Sequence, residues 1–350
     1  MSLVSDQTGA TLQYLADLRD IGAAEPARRK LTDPKSAAAL LGRELMSRIE
    51  ATVQAHSGDP VVLLSGGVDS IAVAAAAAHL GVRPHTLTVI TDHGTDATTA
   101  AAAAAALGLP HEVIRLDEHA VPDLARESVR RLGIPELWEV SYAIPLLAVR
   151  RTLELRSSVG PILTGSAADA ILAGGKTLQH PIDSAAAIEE LDRIVRRESA
   201  GNFRYNRLVP DFYARVLGGF EDRFVHVFQT LRFWEIAETL APTALFGYHD
   251  GAVVDKLCLR LACEDLLPDP IKPLAWGKKN AIQRSAGIMD SLAAAARRFA
   301  AATPGAETYS DPMNEPYESV ASRLFLALLS DGNESARMPS RHPQNPPSAC

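Results

Sequence analysis

The chain has 350 residues, 47% of them hydrophobic, and a net charge of −7; this supports one large domain or two with a sizeable core and argues against broad electrostatic capture of nucleic acid. Its three cysteines, Cys258, Cys263 and Cys350, lack the paired C-x-x-C spacing of a zinc site or disulfide framework, which fits a reducing cytoplasm. No positive-then-apolar leader and no bilayer-length apolar run is evident, and Cys350 is misplaced for a prenylation box, so no membrane partner is expected.

Residues 1–57 read as a helical arm, with apolar spacing at Leu12, Leu15 and Leu18 and again at Leu40, Leu41, Leu45 and Ile49. Strands and helices then alternate across a core expected at 58–182. Strands are expected at Val61–Leu64, His85–Ile90, His111–Leu116 and Pro161–Thr164. The intervening helices are expected at Ile71–Leu80, Asp96–Leu107, Val121–Leu132 and Tyr142–Leu155. Such alternation predicts an α/β fold with a parallel sheet and crossover helices, whose ligands sit at the carboxyl ends of strands. Ser65 and Gly165 fall there.

From about residue 183 the strand signal disappears, and 183–330 read as a helical substrate or lid region. The aromatics clustered from Phe203 and Tyr205 through Phe212, Tyr213, Phe220, Phe224, Phe228, Phe233 and Trp234 recur at roughly helical spacing and read as helix core. Residues 331–350 are proline-rich and polar, the composition of a disordered tail.

The most informative stretch is Val61 to Ser70, in which an apolar run breaks at two glycines and resumes as an alanine-rich helix. Gly66 and Gly67 let main-chain N–H groups approach an anion. Ser65 and Ser70 add hydroxyls, and the helix start adds a partial positive charge. A carboxylate beside a phosphate site needs a cation between them, so Asp69 is assigned to Mg²⁺. The pattern S-G-G-x-D-S is neither a Walker loop nor a dinucleotide fingerprint.

A second motif repeats this logic: Leu163-Thr164-Gly165-Ser166-Ala167-Ala168-Asp169-Ala170-Ile171-Leu172-Ala173-Gly174-Gly175. Asp169, beyond a strand end, is expected opposite Asp69 across a shared metal ion. The plainer alternative is a helix-capping aspartate.

On these two motifs the chain resembles the N-type ATP pyrophosphatases, or PP-loop family, and within it the synthetase domain of asparagine synthetase and β-lactam synthetase. T-G-S-A-A-D-A-I-L-A-G-G is similar to that family's S-G-E-G-x-D-E-x-x-G-G. Lesser matches are His85 to Val89, Ser141 to Pro145, Phe246 to Asp250 in place of P-F-L-D, and Gly277 to Ala286, which resembles K-x-x-L-R-x-A. The resemblance implies a Rossmann-like core, an adenine nucleotide alpha hydrolase-like fold, and ATP cleavage between the α and β phosphates. A substrate carboxylate would become an acyl-adenylate that an amine or ammonia attacks. It further implies that Ser65, Gly66, Gly67 and Ser70, with Gly165 nearby, hold pyrophosphate, that Val89 contacts adenine, that Asp69 and Asp169 bind Mg²⁺, and that Lys279 neutralises phosphate charge in the transition state.

The departures matter equally. Position 2 is Ser2 rather than the cysteine of a glutaminase domain, so nitrogen is expected from free ammonia, a separate partner subunit or an amine substrate; homo-oligomerisation is left open. Ser166 replaces the glutamate or tyrosine that handles the nucleophile's proton in relatives, and serine is a poor base; Glu139 or Tyr142 could serve instead. The family's R-x-K-x-x-F is missing, with Arg297-Arg298-Phe299 at about the right distance. Three readings follow: an AMP-forming amide or lactam ligase of specialised metabolism, a sulfur-transferring or nucleobase-modifying relative, and a non-catalytic ATP-binding partner protein.

Overall fold

The computed structural model describes residues 4–5, 11–12, 24–202, 208–209, 211–277, 282–302, 311, 313–316 and 321–330. Val4–Ser5 pairs antiparallel with Thr11–Leu12, so this stretch is not the helix its leucine spacing predicts; Leu15 and Leu18 lie outside the described residues. Helix α1 (Pro34–Ala55) opens with Asp33, whose carboxylate accepts from the Ser36 N–H at 2.8 Å, and with Pro34 at its first position. Its apolar face, Ala37, Leu41, Leu45 and Ile49, is buried in the same cluster as the sheet. The expected arm is therefore a wall of the core.

The alternating segment then forms β1 (Val61–Leu63), α2 (Val68–His79), β2 (His85–Thr91), α3 (Asp96–Ala106), β3 (His111–Leu116), α4 (Ala120–Leu132), α5 (Leu137–Leu153), β4 (Ile162–Thr164), α6 (Ala168–Ile171) and α7 (Ala185–Asn202). Beyond these come α8 (Phe212–Leu217), β5 (Phe224–His226), α9 (Leu231–Ala237), α10 (Pro242–Leu245), a hairpin of β6 (Gly247–His249) and β7 (Ala252–Val254), α11 (Leu257–Leu266), α12 (Ile282–Ser285), α13 (Ile288–Ala301) and α14 (Ala321–Ser330).

The five strands form one parallel sheet in the order β3-β2-β1-β4-β5. This confirms the α/β, Rossmann-like core, with more helix than strand around it. The fifth strand corrects the expectation that strands end before residue 183: Phe224-Val225-His226 pairs in register with Ile162-Leu163-Thr164. Phe224 is thus a strand residue rather than helix core.

Both faces of the sheet are covered, because successive strand side chains point to opposite sides. Val62, Leu163 and Val225 pack with α1, α2 and α11, whereas Val61, Leu87, Val89 and Ile162 pack with α4, α5 and α13. Ala72 to Ala77 of α2 are fully buried, and their small side chains let the helix lie between the sheet and its outer neighbours. Among the described residues no single helix is long and apolar enough to cross a membrane.

Candidate functional site

The order of the strands reverses between β1 and β4. The chain leaves β1 toward β2 on one side and reaches β4 on the other, so a crevice opens at their carboxyl ends. A cleft of about 430 Å³ lies there, lined by Ser65, Asp69 and Ser70 from the first motif and by Gly165, Ser166 and Asp169 from the second.

The glycine-serine turn folds upon itself. Ser65 N–H donates to Ser70 Oγ at 3.0 Å, the two hydroxyls lie 2.9 Å apart, and Gly67 N–H reaches Ser65 Oγ at 3.3 Å. Ser70 is buried and its hydroxyl also faces the Ser65 and Gly67 carbonyls. It therefore shapes the turn, while Ser65 is only half-buried. Helix α2 begins at Gly67 with no side-chain cap. Its first turn contributes Asp69 and Ser70 to the cleft lining, and the start of a helix carries free N–H groups and the positive end of its dipole.

Gly165 brings the second motif against the first. A Cβ there would lie 2.7 Å from the Asp69 carbonyl carbon and the Ser70 nitrogen, closer than any side chain allows. Gly174 is as constrained, since its Cβ would fall 2.0 Å from Asp169 Oδ1. These glycines let two acids from distant segments converge.

They converge on Lys256. Its ammonium donates to Asp69 Oδ1 at 2.7 Å and to Asp169 Oδ1 at 2.7 Å, so the two oxygens lie no more than 5.4 Å apart, twice that distance. Lys256 and Asp69 are buried, whereas the Asp169 side chain is 50% exposed. Ala167, Ala173 and Lys256 all hold left-handed backbone angles, φ 78°, 53° and 49°. Non-glycine residues pay for that conformation, and its clustering around the two acids marks a site where geometry overrides local preference.

Magnesium was expected between Asp69 and Asp169. Among the described residues no group of three or more metal-ligating side chains converges, and the position both acids face is filled by an ammonium. The donors nevertheless suit the ion: two carboxylate oxygens held toward one cation, with the remaining ligands coming from nucleotide phosphates and water, is the usual way Mg²⁺ is bound.

Lys256 is a residue that sequence reasoning missed, although its signal was present. Lys256-Leu257-Cys258-Leu259-Arg260-Leu261-Ala262 satisfies K-x-x-L-R-x-A at every specified position, better than Gly277 to Ala286 does. Arg260 of this segment bonds the Asp255 carboxylate at 2.8 Å and the carbonyls of Ala275 and Gly277 at 2.9 and 3.1 Å. Burial would raise the Asp255 pKa, but hydrogen bonds from Arg260 and the Gly175 N–H hold it below the ordinary carboxylate value. Arg260 thereby anchors the chain just before Lys279, which itself lies outside the described residues.

Val89 is buried on β2 beside Leu63, Ser65, Pro145 and Val149, around a recess of about 20 Å³. That is room for a water molecule rather than a purine. Of the two substitutes expected for a base at Ser166, Tyr142 lines the cleft and Glu139 is buried in α5 outside the cleft lining. Burial pushes the Cys258 thiol up to about 12 and raises that of Cys263 as well, leaving both without the thiolate that sulfur chemistry needs.

Among curated proteins, no sequence matches the chain. One solved structure, the "predicted subunit of tRNA methyltransferase from Methanocaldococcus jannaschii", is 21% identical over 41% of this chain and 76% of its own, with a TM-score of 0.24, an overlap too loose to bear on function. The asparagine synthase profile, in contrast, matches residues 44–239, a span that contains β1 to β5 and both motifs of the cleft. Since that span exceeds half of the 350 residues, the chain belongs to the asparagine synthase family, the PP-loop type of synthetase.

Proposed function

We propose that this protein adenylates a small-molecule carboxylate with ATP and passes the acyl group to an amine or ammonia, releasing AMP and pyrophosphate, as an amide- or lactam-forming step of specialised metabolism. Members of its family are ATP-dependent amide-forming ligases that yield AMP and pyrophosphate. The observation that carries the reading to this chain is the meeting of Asp69 and Asp169 on one cation at the sheet's switch point, beside an uncapped helix start.

Pyrophosphate departs with concentrated negative charge, so what accelerates its loss is preorganised donors and cations at that end of the nucleotide. The N–H groups at the start of α2, Gly66, Gly67 and the Ser65 hydroxyl would receive its oxygens, while Ser70 keeps the turn in shape. Asp69 and Asp169 would hold Mg²⁺, which neutralises phosphate charge when bound. Lys256 keeps the two acids facing one point. Lys279 would add a second positive charge, and Val89 would line the adenine side.

Buried thiols speak against the sulfur-transfer alternative. Incubation with ATP, Mg²⁺ and a panel of carboxylic acids and amines is the test. Acid-dependent pyrophosphate release, with an amide in the product mass spectrum, is expected; release of ADP and phosphate, or no response to any acid, overturns the reading.

A further inference from the structure

A line of hydrogen bonds in the wall of this cleft takes no part in the ATP site described above. Parallel pairing sets Thr164 of β4 beside His226 of β5. Thr164 Oγ1 lies 2.9 Å from His226 Nδ1 and accepts from the Ser166 N–H at 3.3 Å. His226 Nε2 lies 2.9 Å from the Tyr213 hydroxyl, and the Tyr142 hydroxyl stands 3.5 Å beyond that. His226 is 8% exposed, and its ring is held edge-on by Tyr213 and Phe224 at 5.2 and 5.1 Å between centroids. Packing and Thr164 thus aim Nε2 at the phenol.

Other titratable groups of the cleft are already engaged. Asp69 and Asp169 share Lys256, and the Glu198 carboxylate pairs with Lys176 at 3.0 Å. Serine at 166 cannot act as a base near neutrality. Imidazole is the side chain whose ordinary pKa suits that task.

We propose that Tyr213, backed by His226, takes the proton of the attacking amine in the acyl-transfer step; the inference rests on the ligase reading. The nitrogen lone pair forms the N–C bond, the acyl C–O bond to AMP breaks, and its electron pair leaves with AMP. The proton shed by nitrogen passes to the Tyr213 oxygen as the Tyr213 hydroxyl proton moves to His226 Nε2. The imidazolium then returns it to solvent. In the reactive tautomer Tyr213 donates to Nε2, and Nδ1–H donates to Thr164 Oγ1. Tyr213 is the group that meets the nucleophile; His226 acts through it as a positioning residue and proton reservoir.

The test compares the natural protein with Tyr213→Phe and His226→Gln, using any acid that supports pyrophosphate release. Two nucleophiles are offered: ammonium chloride, which must lose a proton to react, and hydroxylamine, which is uncharged at neutral pH and traps acyl-adenylates without a base. Amide formation with ammonium is expected to fall roughly 100-fold or more in both variants, the scale of a lost general base. With hydroxylamine, which bypasses the base, hydroxamate formation and the pyrophosphate released alongside it should stay near the unsubstituted level, whereas with ammonium pyrophosphate release falls in step with the amide. A parallel fall of amide and hydroxamate, or no fall in either, overturns the proposal. Tyr213→Phe removes a single oxygen, so it carries the test if thermal unfolding shows that His226→Gln does not fold. Failure of the unsubstituted protein to release pyrophosphate with any acid would sink the ligase reading and this inference together, and is recognisable because no variant is involved.

Discussion

Lys256 Nζ stands 2.7 Å from Asp69 Oδ1 with neither side chain more than 2% exposed. A buried ammonium without its carboxylate, or the converse, is the costly state; the intact pair is closer to neutral. Lys256→Met is therefore expected to lower unfolding free energy by about 3–5 kcal/mol, measured by urea denaturation. The double variant Lys256→Met/Asp69→Asn should recover a substantial part of that loss. Additive losses would show that the two residues are not coupled.

The two acids should respond differently to neutralisation. Asp69 is buried while half of the Asp169 side chain meets solvent, so Asp69→Asn leaves Lys256 poorly compensated and should cost about 3 kcal/mol. Asp169→Asn should cost no more than about 1 kcal/mol, as expected where water screens one partner. Both should abolish pyrophosphate release. Equal stability losses would contradict the asymmetry, and retained turnover in either variant would remove it from the phosphate site.

Much of the frame of the fold was legible because its strands are short runs rich in Val, Ile, Leu and Thr set between longer helical patterns. Val61 to Leu63, His85 to Thr91 and His111 to Leu116 announce themselves locally. Phe224 to His226 do not: three residues in an aromatic run at helical spacing carry no period of two, and only pairing with β4 makes them a strand. Hence His226 and Tyr213 were invisible as site residues. Asp69 and Asp169 were readable from their glycine-flanked turns, whereas the lysine between them arrives from 87 residues beyond Asp169 on a left-handed residue that heads α11. Its pattern was present in the sequence, but nothing local in the turn before α11 points to a cleft formed at the other end of the chain.

Glycines at the motif junction make the next prediction. At Gly165 a methyl group would press on the Asp69 carbonyl carbon and the Ser70 nitrogen at 2.7 Å, which are backbone atoms with little freedom to yield. Gly165→Ala should force the two turns apart, weakening ATP binding measured by calorimetry and costing roughly 1–3 kcal/mol of stability, the scale of overpacking. Gly219 meets nothing within 4 Å, so Gly219→Ala is the control and should bind ATP normally. Equal behaviour of the two variants would show that the close approach is dispensable.

Asp255 links pH to this region. Hydrogen bonds from Arg260 and Gly175 outweigh the effect of burial and hold its folded pKa below the ordinary 3.8. The unfolded chain therefore binds this proton more readily, and the stabilisation is complete above about pH 3.8 and lost as pH falls through the folded value. The stability gap between the natural protein and Asp255→Asn should be constant near neutrality and shrink in acid. Urea titrations at a series of pH values would show it; a gap that widens toward low pH would reverse the sign.

Cys258 and Cys263 sit on α11, fully buried, with burial driving the first thiol up to about 12 and raising the second. Neither supplies a thiolate near neutrality, and alkylating reagents should not reach them in the folded protein. Cys258→Ser/Cys263→Ser exchanges two apolar thiols for hydroxyls, so a loss of about 1–3 kcal/mol per site is expected where the new hydroxyl lacks a partner. Acid-dependent pyrophosphate release per folded molecule should survive the exchange. If it vanished while circular dichroism showed an intact fold, sulfur would belong in the chemistry and the amide-forming assignment would give way to a sulfur-transfer reaction.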